Sequence, residues 1–199
     1  MVLYGASGHA KVIRDLLESQ QKTVEYLVDD NPDVIELSGL PVRHELPADE
    51  TVIISIGNNA IRKKIAERLP NNYETGIAKS AIVSKSARVG EGSVVMQGAI
   101  IQPEVCVGRH CIINTGASID HECIIEDFVH VSPHATLCGN VYVGEGTWIG
   151  AGTTVIQGVK IGKWCMIGAG SVVTKDIPDG YLAVGNRCKL LKRINQDQI

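Results

Sequence analysis

Little in this sequence could build an ordinary globular core. Aromatic residues make up 4% of its 199 positions, with one Phe and two Trp, which excludes a core of large rings over most of the length. No apolar run approaches the roughly 18 residues of a membrane span, and "MVLYGASGHAK" lacks a basic start followed by an apolar stretch and cleavage site. Positive charge is not in excess: the net charge is -3 and like charges form no block, so the chain has no electrostatic footprint for nucleic acid. Six cysteines contain no C-x-x-C pair and no zinc-ligand spacing. These absences point to a cytoplasmic protein in a reducing compartment, with no nucleic acid, no membrane insertion and no metal.

What the chain does have is 21 glycines and a repeat. An aliphatic residue recurs every six positions without a break: Val83, Val89, Val95, Ile101, Val107, Ile113, Ile119, Ile125, Val131, Leu137, Val143, Ile149, Val155, Ile161, Ile167 and Val173. A six-residue step drifts around a 3.6-residue helical turn but suits a short strand followed by a corner. Four places after each aliphatic residue stands a mostly small one (Ala87, Ser93, Ala99, Cys111, Ala117, Cys123, Ala135, Cys165), and Gly often follows the aliphatic residue directly. Three such units close a triangle of 18 residues whose coils stack about 4.8 Å apart. Cys111, Cys123 and Cys165 read as interior corner fillers. The pattern resembles the hexapeptide-repeat, left-handed parallel β-helix acyltransferases, and the left hand is implied by that resemblance alone.

Residues 1–76 read as a small Rossmann-like α/β layer in the order βαβ-β-α, and residues 77–199 as the β-helix with a C-terminal cap. "VLYGASGHAKVIRDLLES" is a strand, a Gly-rich turn and an amphipathic helix; "TVEYLVDDNP" and "TVIISIGNNAIRKKIAERL" supply two more strands and a second helix. "GASGH", "DD" and "GNN" all fall at carboxyl ends of strands, where parallel sheets bind ligands. The N–H groups of a helix N-terminus suit a diphosphate, and Asp29 and Asp30 lie near the usual offset for an acid that meets a ribose. Beyond Val173, Pro178 and Gly180 end the repeat, and a short amphipathic piece is expected to lid the last coil.

The stretch "IDHECIIEDFVHV" holds His121, Glu122 and His130. His121 and His130 stand nine residues apart, half a coil, on opposite sides of one prism. They cannot meet within one chain; threefold association would let His121 face His130 of a neighbour across a groove. A neutral imidazole is a suitable base for an amine attacking a thioester. For Glu122 to hold its sequence neighbour, the coil must bend there.

"YGASGH", "VDD", "IGNNAIRKKI", "HECII" and "HVS" resemble, in order and spacing, the bacterial UDP-4-amino-sugar N-acetyltransferases of the bacillosamine pathway; the sialic acid O-acetyltransferase family shares much of the pattern. The resemblance implies an acetyl-CoA-dependent homotrimer that acetylates the 4-amino group of a UDP-linked 4-amino-4,6-dideoxysugar. It implies His121 as base, Glu122 as the residue raising its basicity, and His130 as an acetyl-CoA contact with Asn114, Ala151 and Ala169 nearby. Ser7, Gly8, His9, Asp29, Asp30 and Gly57 are its nucleotide-sugar contacts. His44, His110 and His134 are left as structural or exposed. The family's closing "G-N-P-A-K" departs here, with Arg187 and Cys188 in place of Pro and Ala. Sialic acid O-acetylation is the rival within the class; a zinc-dependent β-helix enzyme or a non-catalytic scaffold are rivals outside it.

Overall fold

Val, Ile and Leu concentrate in three short runs of the N-terminal third, and those runs form the centre of a sheet. The computed structural model describes residues 1–199. Its first part contains β1 (Val2–Tyr4), α1 (Gly8–Ser19), β2 (Tyr26–Val28), β3 (Glu36–Leu37), β4 (Leu40–Arg43), β5 (Thr51–Ile54), α2 (Asn59–Arg68) and β6 (Asn72–Tyr73). The sheet order is β3-β4-β2-β1-β5-β6, with β1 parallel to both β2 and β5. Strand alternation divides its side chains between two cores. Leu3, Leu27 and Ile53 pack with Ile13, Leu16 and Leu17 of α1, while Val2, Tyr4, Val28, Val52 and Ile54 pack with Ile65 of α2.

The β3–β4 hairpin was not foreseen in the sequence. It turns on Ser38 (φ 52°) and Gly39 (φ 81°), two successive left-handed residues that form a tight two-residue connection.

The rest is a parallel β-solenoid. From Gly76–Ile77 to Val172–Val173 every strand is two residues long, and up to Thr154–Val155 each pairs with the strand 18 residues on: Val95 with Ile113, Ile113 with Val131, Val131 with Ile149. Three such ladders make three faces, and their inward residues form one core in which most are 0–1% exposed. Burying each Val or Ile contributes about 1.5–3 kcal/mol, so stacking neighbours is what stabilises any single coil. Corner residues Cys111, Cys123 and Cys165 are fully buried and unpaired. Burial pushes the Cys111 thiol up to about 12, which fits a space-filling thiol and not a nucleophile.

The solenoid extends past both ends of the six-residue pattern. Gly76–Ile77 pairs with Val94–Val95, and Leu182–Ala183 pairs with Met166–Ile167. The last coil escapes a search at fixed period because it is two residues short: Ile161 pairs with Ile177 and Ile167 with Ala183. Its edge is covered by the antiparallel strand Lys189–Arg193, whose basic residues discourage further pairing. The expected amphipathic lid is therefore a hairpin. The chain then returns to the N-terminal layer, where the buried Ile199 accepts a hydrogen bond from the Asn59 N–H at 2.9 Å. No helix is long and apolar enough to cross a membrane.

The two parts share a core: Ala78, Val94, Met96 and Ile112 of the first coils pack among the α1 residues. The α/β layer thus lies on one face of the solenoid, the face that carries His130 further along.

Candidate functional site

The loops at the carboxyl ends of β1 and β2 are tied together by Asp29. Its carboxylate accepts from the Ala6 N–H at 2.7 Å and from the Asn31 N–H at 2.9 Å. His44, expected as structural or exposed, is exposed and reaches the Asp29 carbonyl with Nδ1 at 3.0 Å. Asp30 is occupied as well, by the Tyr4 hydroxyl and by Arg68 at 3.1 Å; the Tyr4 bond first, and Arg68 with it, hold its carboxyl below the usual range. Both acids thus brace the loops. Ser7 caps α1 without spending its hydroxyl on the helix, and Ser7, Gly8 and Gly57 are exposed. A Cβ built on Gly8 or Gly57 meets nothing within 4 Å, so both backbones border open space. Gly5 is different: at φ 112° its missing side chain makes room for Ile56.

His9 and Gly57 lead from these loops to the solenoid. The Nε2 of His9 is buried without a partner, and burial first, then the charge of Arg62, pushes its pKa down to about 4. His130 stands on the face that carries the α/β layer. Its Nε2 lies 3.1 Å from the Asn114 side-chain nitrogen, and its ring stacks on Trp148 with centroids 5.7 Å apart. Burial first, then Arg62 and His9, pushes its pKa down to about 3, while the Gly57 backbone acts the other way. Asn114 and His130 thus meet inside one chain, and Arg62, which donates to the carbonyls of both Gly57 and Phe128, brings the Gly57 loop to the same stretch of the solenoid.

From His130 an open, largely apolar groove of about 440 Å³ runs along the solenoid. Trp148, Ala151, Met166 and Ala169 line it together with His130, Ser132, Pro133, Gly150, Ile167 and Gly168. Ala151 and Ala169, which the resemblance implies as acetyl-CoA contacts, both line this groove. Trp148 and Met166 were missed, although each stands 18 residues beyond the last on the ladder His130–Trp148–Met166. The Trp148 indole N–H donates to Ser132 Oγ at 2.6 Å, which fixes the ring beside His130. A larger concavity, about 560 Å³, is lined by Arg43, His44, Glu45, Leu46 and Pro47.

His121 and Glu122 occupy the corner between strands of the other two faces, Ser118–Ile119 and Ile124–Ile125. This vertex is opposite the His130 face, so the pair and the groove stay apart within a chain. Glu122 takes a left-handed φ of 60°, the bend that adjacent residues need, and His121 Nδ1 lies 3.0 Å from its carboxylate. That contact assigns the proton to Nδ1 and leaves the Nε2 lone pair free. Gly139, one coil on, was also missed. A Cβ there would come within 2.6 Å of the His121 ring. Its N–H has no hydrogen-bond partner in the chain.

His110 is buried, stacked on Phe128 with Tyr73 at its edge, and both its ring nitrogens lack partners. No three His, Cys, Asp or Glu side chains gather as a metal site.

Residues 1–69 match the family described as PglD N-terminal domain, and residues 140–175 match the bacterial transferase hexapeptide (six repeats). The chain is 43% identical over 110 residues to UDP-N-acetylbacillosamine N-acetyltransferase of Bacillus subtilis, a match spanning 48% of this chain and 50% of that relative. It therefore aligns with only half the length of that protein. Two solved structures align along almost all of both chains. PerB from Caulobacter crescentus, in complex with CoA and GDP-perosamine, is 37% identical, with 96% of each chain covered and a TM-score of 0.91. The acetyltransferase domain of PglB from Neisseria gonorrhoeae is 36% identical, with 96% of this chain and 98% of that one covered and a TM-score of 0.88.

Proposed function

The chain belongs to the hexapeptide-repeat sugar N-acetyltransferases that carry a PglD-type N-terminal domain, and from that premise we propose that it acetylates the 4-amino group of a UDP-linked 4-amino-4,6-dideoxysugar with acetyl-CoA. One observation carries the reading: Arg62 joins the Gly57 loop to the solenoid at Phe128, two residues before His130 and the apolar groove that His130 lines. Ser7, Gly8, His9 and Gly57 hold the nucleotide sugar in loops that Asp29 and Asp30 keep in shape. The pantetheine arm lies along Trp148, Ala151, Met166 and Ala169, with its thioester near His130 and Asn114. These side chains are apolar or small, as an extended thioester arm requires.

The base comes from another chain. In a homotrimer the His121 vertex of one protomer closes the groove of the next. The amine attacks the thioester carbon, the C–N bond forms, and Nε2 of His121 takes the amine proton while Glu122 stabilises the imidazolium. The carbonyl oxygen gains charge beside the free N–H of Gly139. The C–S bond then breaks, and the proton passes to the departing thiolate. Acetyl-CoA as co-substrate fits a cytoplasmic enzyme.

The GDP-perosamine complex of the similar PerB favours a second reading, a GDP-linked amino sugar. Acetyl-CoA consumption against UDP- and GDP-linked 4-amino sugars and sialic acid separates these. Turnover with the UDP sugar is expected; none with any nucleotide amino sugar would defeat the proposal. In the same assay His121→Ala is expected to lose at least ~100-fold in turnover with coenzyme affinity retained. Undiminished turnover would remove it as base.

A further inference from the structure

Where α2 covers the solenoid, three successive corners lose access to water, and their carbonyls need donors. Those corners are His110, Phe128 and Gly146, each 18 residues after the last. The Asn59 side chain donates to the Gly146 carbonyl at 3.1 Å. Arg62, 1% exposed, donates from Nε to the His110 carbonyl at 2.8 Å and from Nη2 to the Phe128 carbonyl at 2.9 Å. Its remaining donors reach the Asn59 side-chain oxygen at 2.7 Å and the carbonyls of Ile56 and Gly57 at 2.9 and 3.2 Å. All five N–H groups are used, and no carboxylate is among the acceptors. A buried cation that binds only carbonyls is a costly way to glue two surfaces, but a specific one. Its planar fork holds the Gly57 loop and two rungs of the solenoid in one geometry.

We propose that Asn59 and Arg62 are positioning residues that set which coil the nucleotide-binding layer faces. They keep Gly57 and His9 opposite His130 and not one coil away. A slip of one coil, about 4.8 Å, would carry a bound sugar out of reach of the thioester. The inference rests on the proposed function in that the Gly57 loop binds the nucleotide sugar.

The test compares Asn59→Ala, Arg62→Lys and Arg62→Met with the wild-type chain, at temperatures where thermal melting shows each fully folded. Expected is a fall of roughly 10- to 100-fold in kcat/KM for the nucleotide sugar, because misplacement by an ångström costs on that order. Coenzyme affinity should stay within about 3-fold, and Arg62→Lys should fall between wild type and Arg62→Met. If Arg62→Met does not fold, the two milder variants decide. Amide exchange across residues 55–62, which needs no substrate, should accelerate in every folded variant. Folded variants with wild-type kcat/KM, equal losses for both substrates, or unchanged exchange would each overturn the proposal. An inactive wild-type chain would instead defeat the functional reading and leave the exchange measurement to judge the lock.

Discussion

At the residue scale the chemistry depends on what stands one coil away. His121 keeps its rotamer because position 139 has no Cβ, and Glu122 reaches it only through a left-handed backbone. Gly139→Ala is therefore expected to displace the imidazole and lower kcat at least ~10-fold, with the melting temperature little changed. Wild-type kcat in that variant would show that the ring has room elsewhere. His9, His110 and His130 pose a different problem: burial is the first cause that lowers each, to about 4, 4 and 3. Unfolded, they take up protons near 6.5. Between pH 6.5 and about 4 the unfolded chain therefore binds more protons, so stability is complete above this window and falls as pH drops through it. Urea midpoints measured from pH 7 to 4 should decline steadily, by an amount on the order of a few kcal/mol in total; a flat profile would mean that these imidazoles are not held neutral.

Elements show where local pattern suffices and where it fails. The inward ladder was readable from Val83 to Val173 because a six-residue step alone decides which side chains enter the prism. The final coil was not, since Ile177 and Ala183 come two residues early. The β3–β4 hairpin was missed although Leu40–Arg43 alternates, with Val42 buried between exposed Pro41 and Arg43; its partner strand is only two residues long, which leaves the Ser38–Gly39 turn as the main signal. The GASG turn was readable as a turn, but its brace was not: Asp29, expected as a ligand contact, spends both carboxylate oxygens on backbone N–H groups. Asp29→Ala should release the Ala6 end of that loop and raise the nucleotide-sugar KM roughly 10-fold while leaving the coenzyme KM alone. Steady-state kinetics with each substrate varied in turn checks this, and a matching rise for both would point to general loosening.

For the whole molecule, the decisive geometry is the separation of base and groove. His121 stands on the vertex opposite the face that bears His130, Trp148 and Met166, so the proposed reaction needs a second chain. His121→Ala lacks the base, and Ala151→Trp should block the groove. Co-refolding these two inactive variants should produce mixed trimers containing one intact site and recover measurable turnover. Recovery that fails although light scattering shows mixed trimers would place the site within one chain.

The sequence by itself determined the solenoid core and its corners, because both follow from spacing along the chain; the candidate groups it offered came from resemblance to a family. Tertiary structure alone decided which rung the α/β layer faces. That choice is made by Arg62 and Asn59 on backbone carbonyls 48 to 87 residues away, and a carbonyl is the same at every position, so no residue in the sequence marks it as the partner.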